Sequence, residues 1–194
     1  MLDRNLIGNA FVGVVKDLIG SRLSTLTNPS GTTPAVVKSR EGGYKPDLPY
    51  VSVDVANFIL PSGWLLHSYF DESNVMTYEV LYEIFVDFKC FGEDSQEILQ
   101  EFHSFLSIPI ITEKIQTDVF GASVQQQGDV INTPDLLSTD FEEGATLTTS
   151  FYIIDTIQDP AGLGVERILN VTGTGTIKTG VNGDITVSID TQDL

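Results

Sequence analysis

The sequence has little of the side-chain chemistry on which most enzymes and metalloproteins depend. Its 194 residues include one cysteine, Cys90, and two histidines, His67 and His103. One cysteine excludes a disulfide within the chain, and the CxxC, HxH and HxxxH spacings of transition-metal sites do not occur. The serines have no GxSxG context, and no GxxxxGK phosphate-binding loop is present. We therefore expect no catalytic residues, no cofactor and no bound metal.

Basic residues are the second shortage. Ten lysines and arginines stand against 27 aspartates and glutamates, so the formal net charge is −17. Residues 1–46 hold six basic and three acidic groups, for a net +3, whereas residues 47–194 hold four and 24, for a net −20. So acidic a body disfavours binding to nucleic acid, because phosphate contacts need Lys and Arg. The excess fits either ordinary solubility or a surface that repels passing DNA or meets a basic partner.

Long hydrophobic runs are also absent. No stretch reaches the ~18 apolar residues of a membrane-spanning helix. The first twenty residues carry charges and lack a small-residue cleavage site, so we expect no signal peptide. Hydrophobic residues still make up 41% of the chain, which is enough for a real core. The length fits one domain, with or without an appendage.

The clearest pattern that is present is a strand-like alternation over residues 76–91, MTYEVLYEIFVDFKCF. Because successive side chains of a strand point to opposite faces, the pattern predicts one uncharged, buried face. The second face mixes charged and large apolar groups, and it supplies our candidates for an oligomer interface: Glu79, Leu81, Glu83, Phe85 and Asp87. The run is far longer than the usual strand of about five or six residues. We therefore expect a long projecting strand or hairpin whose second face is covered by a neighbour, such as another copy.

Two helices are predicted from apolar residues spaced three and four apart. The first covers residues 5–19 and has Asp3 available as its N-cap. The second covers residues 94–106; Asp94 begins it, and Pro109 stops the helical pattern. Alternation predicts further strands over 50–59, 112–125 and 147–157. Helices and strands in this order predict an α+β fold, with a mainly antiparallel sheet and the two helices packed on one face.

The remaining segments differ in composition from this domain, which we place at residues 1–158. Residues 27–49 are rich in Pro and Gly and predict a long loop. Basic residues in and before this loop are our candidates for contacts with a partner: Arg22, Lys38, Arg40 and Lys45. Residues 159–194 are rich in Gly, Thr, Val and Ile, and their Asn182-Gly183 pair is a strong hairpin signal. We expect them to form a C-terminal β-hairpin arm.

Five segments in a fixed order carry a resemblance to a known family. They are LPYV at 48–51, FKCFG at 88–92, the capped helix at 94–106, DVINTP at 129–134 and FEEGATL at 141–147. Together they resemble the tail-terminator (neck, or tail-completion) proteins of tailed bacteriophages, over roughly residues 45–157. One departure is visible, because that family often has an arginine where Gly144 stands here.

The resemblance implies a structural virion protein and not an enzyme. Such proteins form a ring, commonly of six subunits, that ends the tail tube and joins it to the head–neck connector. The implied partners are further copies of the chain and the tail tube, sheath and neck proteins, with DNA only as cargo in the channel and no membrane. The implied location is the tail and neck of the virion, after assembly in the host cytoplasm. Glu79, Glu83 and Asp87 then become candidates for contacts at the ring or channel surface.

Two other functions fit the same residues. The first is a different phage tail component, such as a tube, sheath-associated or baseplate protein, with the hairpin arm joining its subunits. The second is a small non-viral α+β enzyme or ligand-binding module. That alternative predicts a monomer or dimer with an enclosed apolar pocket and convergent polar groups. Closed rings at tube ends would separate the tail terminator from both.

Overall fold

A computed structural model of the chain describes residues 3–28, 31–39, 45–60, 65–71, 75–137, 140–158, 170–177 and 185–192. The α-helices in these ranges are α1 (Arg4–Ile19), α2 (Ser95–Leu106) and α3 (Pro109–Asp118), and a short 3-10 helix, Gly20–Arg22, follows α1. The strands are β1 (Thr25–Asn28), β2 (Gly31–Pro34), β3 (Val36–Lys38), β4 (Tyr50–Ile59), β5 (Leu65–Phe70), β6 (Met76–Phe91), β7 (Ser123–Gln127), β8 (Ile131–Asn132), β9 (Asp135–Leu137), β10 (Asp140–Glu142), β11 (Gly144–Gln158), β12 (Asn170–Ile177) and β13 (Ile185–Gln192).

One large sheet forms the centre of the fold, in the order β3-β4-β6-β11-β7. β5 also pairs with β6, and β8 pairs with β11. β3 runs parallel to β4, whereas β4 and β6, β7 and β11, and β8 and β11 are antiparallel pairs. The pairs β1–β2, β9–β10 and β12–β13 are separate antiparallel ribbons. The predicted α+β class, the long strand at 76–91 and the C-terminal hairpin are confirmed.

The first helix forms as its apolar spacing predicts. Ile7, Phe11 and Val15 are buried along one side of α1. The Asp3 side chain accepts a hydrogen bond from the Asn5 amide at 2.8 Å, which satisfies one of the free N–H groups at the helix start. The predicted N-cap is therefore confirmed, and it fixes where α1 enters the core.

Aromatic side chains join the helices to one face of the sheet. The Phe11 ring of α1 lies 6.0 Å from the Phe88 ring of β6 and 4.7 Å from the Phe151 ring of β11, between centroids. Phe88 also lies 4.8 Å from Phe102 of α2. Burying a Phe side chain contributes roughly 1.5–3 kcal/mol. These four rings therefore hold α1 and α2 on the same face of β6 and β11.

The third helix corrects a prediction. Residues 112–125, predicted as one strand, form most of α3 and only the start of β7. Pro109, expected only to stop the preceding helix, stands at the first turn of α3, where its missing N–H leaves no helical hydrogen bond unmade. Ile115 and Val119, four residues apart, are buried and tie this segment to the core. The two helices predicted on one face are present, and α3 is an addition to them.

Two smaller differences concern segments flanking the core. The predicted loop at 27–49 contains β2 and β3 and the end of β1, so it is less irregular than its Pro and Gly content indicates. Asp94 does occupy the N-cap of α2, but its backbone is left-handed, with φ 61°, and its side chain makes no capping hydrogen bond. Its backbone carbonyl still accepts the first helical hydrogen bond, from Ile98 at 3.0 Å.

The chain divides into two compact units. One comprises Met1–His67 and Glu79–Ile157, and the other comprises Ser68–Tyr78 and Gln158–Leu194. The buried hydrophobic cluster in the described residues lies between Ile7 and Ile153, and so within the first unit. The independence of the arm at 159–194 stays a prediction. No α-helix in the described ranges is long and apolar enough to cross a membrane.

Candidate functional site: the open face of the sheet

The helices α1 and α2 pack on one face of the sheet, and we call the other face, on which several side chains are exposed, the open face. Strand register defines it: Asp54 lies opposite Asp87, and Asn57 opposite Phe85, whereas Val53 and Phe88 pair on the helix-covered side. Asn57 is exposed, and so are Lys89 of β6, Thr148 of β11 and Gln126 of β7. The open face therefore runs across four strands and offers a broad surface to a partner.

The structure brings together all five interface candidates on β6. Glu79, Leu81, Glu83, Phe85 and Asp87 occupy alternate positions of the strand and so lie in one row on the open face. Each is half-buried, whereas Val80, Ile84 and Val86 between them are fully buried on the other side. The predicted division of the strand into a core face and a mixed face is thus present. Contact between this row and another subunit stays a prediction.

Carboxylates concentrate at the centre of this face. Asp54 and Asp87 are direct cross-strand partners, an arrangement that is unfavourable for like charges unless other groups compensate it. The Thr148 hydroxyl donates a hydrogen bond to Asp87 Oδ1 at 2.7 Å. Glu83 lies farther along β6, opposite Ile59. With Lys89 nearby on the same face, these carboxylates make this part of the open face highly charged.

A cleft of about 180 Å³ opens beside this acidic centre, and we call it the Ser150 cleft. It is lined by Phe85, Gln126, Gly128, Thr148 and Ser150. The Gly128 amide donates to the Thr148 carbonyl at 2.9 Å, and a Cβ at Gly128 would lie only 2.6 Å from that oxygen, so the close approach of the two backbones requires glycine. Ser150 is 3% exposed, and its Oγ has no hydrogen-bond partner.

Sequence reasoning did not single out this cleft. The sequence signal that relates to it is the alternation in β11. Thr148 and Ser150 alternate there with the buried residues Leu147, Thr149 and Phe151. That alternation identifies a polar row on one strand. It does not identify Phe85 and Gln126, which reach the cleft from β6 and β7, because their placement depends on pairing between distant segments.

The described partner-contact candidates, Arg22, Lys38 and Lys45, have different neighbours. The Arg22 guanidinium makes an ion pair with Glu101 of α2 at 3.0 Å. Lys45 lies with its Nζ 6.0 Å from the centre of the Tyr50 ring. Lys38 lines a small cleft at the end of β3, and Arg40 lies outside the described residues. A role for these residues in binding a partner stays a prediction.

Gly144, where the resembled family often has arginine, stands at the start of β11 with no room for a side chain. A Cβ there would lie 2.7 Å from the Thr133 carbonyl oxygen. The Gly144 carbonyl in turn accepts a hydrogen bond from the Thr133 amide at 2.8 Å, and the adjacent Glu143 carbonyl accepts one from Gly92 at 2.8 Å. Backbone contacts therefore occupy the space from which an arginine would extend.

In the part of the chain that the structure describes, the reactive side chains form no recognisable metal site. Burial raises the pKa of the Cys90 thiol to about 12, so this cysteine stays protonated and unreactive at neutral pH. Across the described ranges, no group of three or more His, Cys, Asp or Glu side chains is placed to hold a metal ion. What the described surface does offer is the open face with its polar cleft.

Comparison with known protein families indicates a structural protein. Residues 9–180, which include α2, α3, most of α1 and most of the strands, match the family described as phage neck terminator protein. No curated protein matches the chain. The match extends well beyond the segments that carried the resemblance, into the C-terminal arm. It makes the protein a structural component of the phage tail and neck, where it contacts other tail or head components. The chain therefore belongs to the phage neck terminator protein family.

Proposed function

We propose that this protein forms a closed ring, of six subunits, at the end of the phage tail tube. The ring terminates the tail and joins it to the head–neck connector. A ring of identical subunits needs two different surfaces on each copy, one for each neighbour. Membership in the neck terminator family supports the position in the virion.

One observation carries the proposal: the row on the open face of β6 alternates carboxylates with large apolar side chains. Leu81 and Phe85 are half-buried in the isolated subunit, with Glu79, Glu83 and Asp87 beside them. Protein interfaces combine an apolar, often aromatic centre with polar surroundings. A neighbouring subunit that covers this row would complete the burial of Leu81 and Phe85.

The charge of the chain supports a channel through which DNA passes. A net charge of −17 repels phosphates, so DNA slides past the wall as cargo without binding to it. Glu79, Glu83 and Asp87 serve either the subunit contact or the channel wall in this proposal. Tail tube, sheath and connector proteins are its remaining partners, and assembly takes place in the host cytoplasm.

The test is the assembly state of the purified protein, alone and with tail tubes. Light scattering after size-exclusion chromatography gives the mass, and electron microscopy gives the position on the tube. We expect closed six-membered rings at tube ends. Copies repeated along the tube would instead indicate another tail component, and a protein that stays monomeric even with tubes present would contradict the ring.

A further inference from the structure

We propose that a cleft beside Phe120 binds a tail or neck protein other than this chain, whose contact surface presents an apolar side chain flanked by lysine or arginine. We call it the Phe120 cleft, and its volume is about 280 Å³. The start of α1, the segment after α3 and the end of β11 supply its lining: Asp3, Leu6, Ile7, Phe120, Ile154, Asp155 and Thr156. The inference goes beyond the proposed ring, because it concerns a neighbour that is not a further copy.

Phe120 has an unusual backbone conformation for a large side chain. It follows α3 with a left-handed φ of 49°. The Gly121 amide donates to the Gln116 carbonyl at 2.8 Å, a hydrogen bond that closes the helix end and makes position 120 the one where glycine is usual. A bulky residue is disfavoured in this conformation. Phenylalanine therefore stands where the helix end by itself favours glycine.

The same side chain is exposed, so the subunit core gives little in return for this conformation. Phe120 is 52% exposed, and Leu6 and Ile154, which line the same cleft, are 53% and 49% exposed. Single exposed apolar residues are common on protein surfaces, whereas several together mark interaction sites. An unfavourable backbone retained at an exposed aromatic residue indicates a functional constraint. We therefore assign Phe120 to a contact outside the subunit.

The arrangement of the strands explains why the cleft is open. β7 pairs with β11 as far as Tyr152, which lies opposite Ser123. Ile154 and Thr156 lie beyond that point on the same face of β11, and both are exposed. The described elements of the subunit thus leave room at this end of β11 for an apolar side chain of a partner.

The charge of the cleft defines the partner further. Its lining includes two carboxylates, Asp3 and Asp155, and no lysine or arginine. A basic group beside the partner's apolar side chain is therefore complementary to it. The interface row of a second copy is not, because Glu79, Glu83 and Asp87 would bring carboxylates against carboxylates. The cleft accordingly favours a different protein, and proteins of the neck terminator family contact other tail or head components.

The test measures binding of the full chain to purified tail tubes and, separately, to purified head–neck connectors, by co-sedimentation. Phe120→Gly removes the aromatic side chain and supplies the residue that the helix end favours. We expect it to keep or raise the unfolding temperature, to leave assembly of the chain unchanged, and to weaken binding to one of the two partners by at least about ten-fold. Ile110→Ala is the control, because Ile110 is 70% exposed but lies outside the cleft.

A second pair of variants tests the charge. Asp3→Asn and Glu93→Gln each remove one negative charge. Asparagine caps a helix about as well as aspartate does, so Asp3→Asn keeps α1 intact. Glu93 is exposed and follows Gly92, which bonds to the start of β11, at the opposite end of that strand from the cleft. We expect only Asp3→Asn to weaken binding, by several-fold, and to make it less sensitive to salt, because salt screens the attraction between exposed charges.

Three results would overturn the inference. A clearly lowered unfolding temperature of Phe120→Gly would show that the side chain serves its own subunit. Unchanged binding of Phe120→Gly to both partners would show that the cleft is not the contact. Loss of self-assembly in Phe120→Gly would make a second copy the occupant.

The wild type separates this inference from the proposed function. Closed rings of wild-type subunits that bind neither tubes nor connectors overturn the inference and leave the contact between subunits standing. A wild-type chain that binds one partner through Phe120 but never forms rings contradicts the proposed ring and supports the cleft.

Discussion

At the residue scale, Gly144 stands where the start of β11 contacts two other backbone segments. Its carbonyl pairs with the Thr133 amide, and the neighbouring Glu143 carbonyl pairs with Gly92 at the end of β6. The start of β11 is thereby held between two other segments. The resemblance to the family indicates only that its frequent arginine is absent at this position. The reason, a carbonyl oxygen 2.7 Å from any Cβ, depends on a residue eleven positions away.

We predict that Gly144→Ala destabilises the protein by about 1–3 kcal/mol, because a backbone oxygen has to move to admit the new methyl group. Gly13→Ala is the control, since a Cβ at Gly13 meets nothing within 4 Å. Within α1 that change should stabilise by about 0.5–1 kcal/mol. Urea unfolding measures both. A neutral Gly144→Ala would show that the junction is looser than the structure indicates.

Cys90 makes a second residue-scale prediction, for alkaline pH. Burial is the main cause that raises the pKa of its thiol from the ordinary value of 9.0 to about 12 in the folded protein. Because the folded pKa is the higher one, its contribution to stability is complete below pH 9 and is lost as pH rises from 9 to 12. The loss reaches at most about 1.4 kcal/mol per pH unit.

The measurement for Cys90 is the free energy of unfolding of the wild type and of Cys90→Ala between pH 8 and 11. Lysines and tyrosines titrate in both proteins, so the difference between the two curves isolates the thiol. We expect the wild type to lose stability more steeply above pH 9. Parallel curves would contradict a buried, protonated thiol.

At the element scale, β6 is a strand with two different environments. Ile84 and Phe88 on one side are fully buried, whereas Leu81 and Phe85 on the other remain half-buried. The bounds of this strand were predicted correctly from the sequence, because period-two alternation is a local property of consecutive residues. The same local signal misplaced α3, where β-branched residues after Pro109 resemble a strand and only packing of Ile115 and Val119 reveals a helix.

We predict that Leu81→Asp combined with Phe85→Asp leaves the subunit folded but abolishes assembly, since charges on the open face stay hydrated until a neighbour covers them. Ile84→Asp is the matched change on the opposite side. It buries an unpaired charge, so the chain should fail to fold. Circular dichroism and light scattering distinguish the two results. Unfolding of the double variant would make the second side of β6 part of the subunit core.

At the scale of the whole molecule, the hydrophobic cluster in the described residues ends at Ile153, before the arm begins. We therefore predict that a chain truncated after Gln158 folds cooperatively, with nearly unchanged thermal stability. Differential scanning calorimetry of residues 1–158 and of the full chain provides the comparison. A large drop in the unfolding temperature would show that the arm contributes to the core and would contradict the predicted domain boundary.

At this scale, the sequence does not predict contacts between residues that lie far apart in the chain. The fold class, two helices and the interface row were accessible, because each rests on neighbouring residues. The Ser150 cleft was not, because Phe85, Gln126 and Ser150 come from three strands whose register no local pattern specifies. The sequence likewise gives no sign of the ion pair of Arg22, because its partner Glu101 lies on the distant helix α2.

The contact between Phe11 and Phe151 also limits when the core can be completed during translation. Their rings are 4.7 Å apart, yet 140 residues of chain separate them. At about 5–20 residues per second, a ribosome needs roughly 7–28 s to make that stretch. β4, β6 and α2, which also pack on α1, emerge during this time, whereas β11 does not yet exist. We therefore expect the core to be completed only when β11 emerges.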